Sequence, residues 1–228
     1  MFNIFYYGNI LSMRIVPIVS GEYYHIFGRG NNKQKIFRDK KDYIRFLFLI
    51  LYFQSPIIFI NIGRMVSYYV KHSVFNIADD VTDNIAKTRY IELIGFSLMP
   101  NHYHLIIYGI EDDGIPKYMQ RILNSYTKYF NTKYDQSGHL FQGPYKAVHI
   151  EDDNQLSYLS AYQHRNPNEL KEWKGKELKY SWSSYQDYVG KNRWGDLLKN
   201  DIIMDRFENG GDYNDFVQTS GAKESFDD

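Results

Sequence analysis

The chain has 228 residues, 43% of them apolar, which suits one sizeable folded domain and excludes a disordered polymer. It has no cysteine, which excludes disulfides and thiolate metal ligands and points to a reducing compartment. The net charge of zero hides an asymmetry: residues 196–228 carry nine acidic and three basic side chains, leaving 24 basic against 18 acidic over 1–195.

The first twelve residues have no clear pattern, which makes Met13 a second candidate start. The N-terminus lacks the basic start and small-residue cleavage site of a signal peptide, so a cytoplasmic protein is expected. "GEYYHIFGRG" (21–30) predicts a strand ending in a glycine turn. "RDKKDYIRFLFLILYF" (38–53) predicts a helix with Asp39 near its start. Its apolar run, 46–53, is interrupted by "QSP" and falls short of the roughly 20 residues a membrane helix needs, so no membrane span is expected. Residues 54–90 give no clear element and read as an inserted excursion.

"RYIELIGFSLM" (89–99) and "HYHLIIYGI" (102–110) predict two further strands. A helix is predicted over 113–134, because Ile115, Tyr118, Met119, Ile122, Leu123, Tyr126, Tyr129 and Phe130 recur at three and four, with Pro116 in the first turn. "SGHLFQGPYKAVHIE" (137–151) has glycine punctuation and then a strand. Asp152 or Asp153 can cap a helix over 154–166, closed by Pro167. The rest mixes short helices, turns and an acidic end, with the last ten residues expected to fray. This order predicts an α+β fold, a mainly antiparallel sheet covered by helices.

His102 and His104 are the first candidates for chemistry. Residues i and i+2 of a strand share a side, so two imidazoles face one small volume while Tyr103 and Leu105 turn into the core. That geometry can chelate a divalent ion given a third ligand. It equally fits a pair of hydrogen-bonded histidines at a strand end. Tyr158, Tyr162 and Asn166 form a stripe on the 154–166 helix, at i, i+4 and i+8. A phenol is a weak nucleophile unless its target is polarised, and a metal on a phosphate would do that. Packing on the sheet explains the same spacing. Arg29 sits between two glycines, where backbone can approach a phosphate. Residues 117–146 carry Lys117, Arg121, Lys128, Lys133 and Lys146 against Asp135 alone, a face that suits phosphates or simply solvent.

"YYHIFGRGNNKQKIF", "LMPNHYHLIIY", "MQRILNSYTKYFN", "GHLFQGPYKA", "YLSAYQHRNP" and "WSSYQDYVG" occur here in one order. Together, over about residues 20–190, they resemble the IS200-like tyrosine transposases, most closely the branch associated with repetitive extragenic palindromes. The resemblance implies a ferredoxin-like catalytic domain at 20–170, an N-terminal extension at 1–19 and a C-terminal extension with an acidic tail at 171–228. It implies a nuclease and strand transferase for single-stranded DNA that recognises a DNA hairpin, needs Mg²⁺ or Mn²⁺ and no small-molecule cofactor, and works as a monomer or homodimer. His102 and His104 match the family's metal-binding His-hydrophobic-His pair. Tyr162 matches the nucleophile that forms a 5′-phosphotyrosine link, and Asn166 matches the position whose amide helps the metal. Tyr126 and Tyr158 are rival tyrosines. Arg29, Lys128, Lys146 and Arg165 are candidate DNA contacts. Two departures bear on DNA affinity: Pro144 stands where the family has arginine, and the basic residue near the nucleophile has moved to Arg165. The alternatives are a domesticated hairpin-binding protein that does not cleave, and a metal phosphodiesterase using water.

Overall fold

The computed structural model describes residues 17–221, so Met13 and the end of the acidic tail lie outside the described residues. Four strands, β1 (Tyr23–Arg29), β2 (Ile91–Met99), β3 (His102–Gly109) and β4 (Lys146–Ile150), form one antiparallel sheet in the order β2-β3-β1-β4. Helix α1 (Lys40–Tyr52) follows β1, α2 (Ile62–His72) and α3 (Asp79–Thr88) precede β2, α4 (Gly114–Tyr134) joins β3 to β4, and α5 (Asp153–Arg165) follows β4. With α2 and α3 set aside, this is the βαββαβ order of a ferredoxin-like α+β domain, as expected.

The strand period of two divides the molecule into layers. Tyr24 and Ile26 of β1, with Tyr103, Leu105 and Ile107 of β3, pack in the core that holds α1 and α4. Ile94, Ile106 and Ile150 face the other way, into a second core with Leu156 and Leu159 of α5. His25, His102 and His104 share that second face through their spacing along β1 and β3.

Helix α1 opens on the expected Asp39, whose side chain accepts from the Asp42 N–H at 3.1 Å in a capping box. Its second half is buried all round. The residues read as an excursion explain why, because α2 packs on α1 from outside the sheet. An apolar run too short for a membrane is therefore a helix covered on both sides. Among the described residues no helix is long and apolar enough to cross a membrane.

Past α5 the chain returns to β2. Leu98 N–H donates to Trp182 O at 2.9 Å and Ser184 N–H to Phe96 O at 2.9 Å, which covers the free edge of β2. Helices α6 (Tyr185–Val189), α7 (Asp201–Met204) and α8 (Gly210–Thr219) then pack on the α5 side.

Candidate active site

The site begins with a turn. Pro100 and Asn101 join β2 to β3, with Met99 paired to His102. The turn is fixed from outside: Pro100 O accepts from the Ile36 and Phe37 N–H groups, and Asn101 O from the Gly30 N–H. His102 therefore starts β3 at a defined position. Its Nδ1 lies 2.7 Å from Asn101 Oδ1. An amide oxygen only accepts, so Nδ1 carries the proton and Nε2 the lone pair.

The His102 and His104 rings are 5.0 Å apart, centroid to centroid. His104 is buried, and its Nδ1 lies 2.9 Å from Nε2 of a third histidine, His25 on β1. Helix α5 lays Tyr162 against this pair. Its ring stands edge-on to His104 at 6.0 Å and to His25 at 6.5 Å. Asp152 starts α5 as one of the two expected caps, accepting from the Gln155 N–H at 2.8 Å. The other end is held by His164, whose ring nitrogens lie 2.7 Å from Tyr213 Oη and 2.8 Å from Ser184 Oγ.

The three site histidines are neutral at neutral pH. Burial pulls His25 down to about 4. Burial first and the Arg29 charge second pull His102 to about 4. His104 is held well below the ordinary imidazole value, by burial and then by His25, His102 and Arg29. Neutral imidazole is the ligating form.

These residues fit a divalent cation. Both ligand candidates turn Nδ1 to a neighbour, so Nε2 is the atom each can offer, as is usual in metal-bound histidine: His102 does so by donating to Asn101, and His104 does so when its Nδ1–H donates to His25. Asn166, one turn beyond Tyr162, is 2% exposed and neither its Oδ1 nor its Nδ2 has a hydrogen-bond partner. Such an orphaned amide is costly unless something else takes it up. Among the described residues no group of three or more histidines and acids is placed to hold a metal, so any third protein donor would be a side chain of another type, and Asn166 is the candidate.

The other candidates separate. Arg29 pairs with His102 across the strands and is exposed beside the histidines. Lys146 on β4 reaches over the Phe27 ring, on the same face. Lys128 lies on α4, in the opposite layer, and lines a groove of about 720 Å³ with Asn31, His139, Phe141, Gln142 and Pro144. Arg165 lies near the Tyr185 phenol in the C-terminal part. Tyr126 is fully buried with its hydroxyl on Ile36 O at 2.6 Å, and Tyr158 packs on Phe216, so neither rival faces the histidines.

Sequence reasoning missed His25, whose only signal is a histidine in a strand whose facing is unknown until the sheet is assembled. It also missed Gln163 and Ser97, which are fully buried with unpartnered side-chain atoms. Gln163 Oε1 stands 2.7 Å from where a Cβ on Gly95 would lie, so a side chain there would require the Gln163 amide to shift.

The fold sets a paired-histidine face on the sheet and a helical tyrosine across from it. The family model described as "Transposase IS200 like" matches residues 56–166, and the resemblance read from the sequence holds across that span. The span includes His102, His104, Tyr162 and Asn166 and excludes β1. A solved structure of a REP-associated tyrosine transposase bound to a REP hairpin is similar at 14% identity and a TM-score of 0.47, over 75% of this chain and 81% of that one. The curated proteins contain no match to this chain.

Proposed function

We propose that the protein is a tyrosine transposase that nicks and rejoins single-stranded DNA beside a hairpin, with Mg²⁺ or Mn²⁺ as cofactor. The observation that carries this reading is the Tyr162 ring edge-on to His104, on the face shared with His102. Nε2 of His102, Nε2 of His104 and the Asn166 amide oxygen would hold the ion. When bound, the cation supplies charge neutralisation at a non-bridging oxygen of the scissile phosphate.

The chain's own residues do the rest. Tyr162 Oη attacks phosphorus in line, giving up its proton, and an Oη–P bond replaces the P–O3′ bond. The released 3′ oxygen takes up a proton. The 5′-phosphotyrosine keeps the bond energy, so a second 3′-OH can reverse the step. Arg29 and Lys146 flank the histidine face and suit the backbone on either side of the break. The groove beside Lys128 suits the hairpin, with Arg165 as a further contact.

Incubation with Mg²⁺ and a labelled hairpin oligonucleotide, followed by a denaturing gel, tests this. The expected result is a covalent adduct with wild type, Tyr126→Phe and Tyr158→Phe, and none with Tyr162→Phe. Cleavage that survives Tyr162→Phe would overturn the nucleophile and favour a water-using phosphodiesterase. Binding without cleavage would favour a hairpin-binding protein.

A further inference from the structure

We propose that His25 is a positioning residue that holds His104 as the Nδ1–H tautomer, so that His104 presents Nε2 to a divalent cation. The proposal rests on the reading of His104 as a metal ligand.

His25 and His104 are diagonal neighbours: His25 pairs with Ile106 across the strands, and His104 with Phe27. The two imidazoles are 8% and 7% exposed, near-parallel at 17°, and joined at 2.9 Å. The Phe27 ring lies near-parallel to His104 at 16°, with centroids 5.8 Å apart. Two neutral imidazoles sharing one hydrogen bond have two tautomeric arrangements. When His104 Nδ1–H donates to His25 Nε2, the lone pair of His104 is on Nε2, the nitrogen that can ligate. When His25 Nε2–H donates instead, His104 Nδ1 accepts, its one ring proton is on Nε2 and it cannot ligate there. Ligation by His104 therefore requires His25 to act as acceptor, with its own proton on Nδ1. A carboxylate or backbone carbonyl usually does this job for a metal-bound histidine. Here a strand-borne imidazole is in that place.

Mn²⁺ titration of the DNA-free protein, followed by electron paramagnetic resonance, tests the proposal without turnover. His25→Phe keeps the ring shape and removes the acceptor, and is expected to weaken Mn²⁺ binding by roughly 10–100-fold. His25→Gln, whose amide oxygen can accept, is expected to recover most of the loss. His104→Ala serves as the reference for loss of the ligand. Wild-type affinity in folded His25→Phe, with affinity lost in His104→Ala, would overturn the role of His25 and leave the ligand reading intact. Mn²⁺ affinity unchanged in His104→Ala would overturn both. A second measurement needs no variant: long-range ¹H–¹⁵N spectra of the Mg²⁺-loaded wild type are expected to show His104 protonated at Nδ1. Protonation at Nε2 would overturn the proposal even if His25→Phe fails to fold.

Discussion

His164 Nδ1 lies 2.7 Å from Tyr213 Oη, a bond between the helix that carries Tyr162 and α8. The same hydroxyl reaches Ser160 Oγ at 2.9 Å, and all three residues are fully buried. Tyr213→Phe removes one oxygen and leaves a buried imidazole nitrogen without its partner. The expected cost is about 1–3 kcal/mol in urea unfolding. Nicking should fall as well, because α5 loses a tie on the side away from the sheet.

Gly95 makes the opposite kind of prediction. A Cβ there meets Gln163 Oε1 at 2.7 Å, and Gln163 follows Tyr162 on α5. Gly95→Ala should turn the Gln163 amide aside, destabilise the protein by about 1 kcal/mol and reduce adduct formation. Equal nicking rates at a temperature where both proteins are folded would count against this coupling.

Asn166 should show a conflict between stability and function. Its amide is buried without a partner, so Asn166→Leu, close in shape, relieves an unsatisfied group. Stability should rise by about 1–3 kcal/mol, while Mn²⁺ affinity and adduct formation fall. Thermal unfolding of the metal-free protein and metal titration give the two readouts.

The pH dependence of folding should carry a mark from Asp39. Burial raises its carboxyl, but hydrogen bonds from Lys133 and from the Asp42 and Lys41 backbone outweigh it and hold it below the ordinary 3.8. A depressed pKa contributes stability above the unfolded value and loses it as pH falls through the folded one. Asp39→Asn keeps a capping side chain and removes only the charge. With Asp39 half exposed, the variant should be less stable by about 0.5–1 kcal/mol at pH 7. The difference should vanish in unfolding curves taken well below pH 3.8.

Local pattern made most of the framework legible. The alternation of "HYHLIIY" told which side Tyr103 and Leu105 would take, and Asp39 and Asp152 began their helices. Helices α2 and α3 were not legible because neither has a side-chain cap bond and their burial rests on few residues, such as Val66 and Ile85. His25 was hidden for another reason: its partner is 79 residues away, and no local spacing reports that. For Lys128, helical periodicity told that the side chain is outside but not on which layer α4 would lie.

The first strand among the described residues, β1, sits in the middle of the sheet, between β3 and β4. A chain leaving the ribosome thus carries β1 as an unpaired ribbon until residues 102–109 arrive, and one side stays open until 146–150 follow. Such long-range pairing comes late and slowly in folding. His25 meets His104 only at that closure, and Tyr162 reaches them only when α5 docks afterwards. The histidine face and the tyrosine beside it therefore come together only after most of the chain has been made, because His25 and Tyr162 lie on β1 and α5, with α1–α4 and β2–β4 between them.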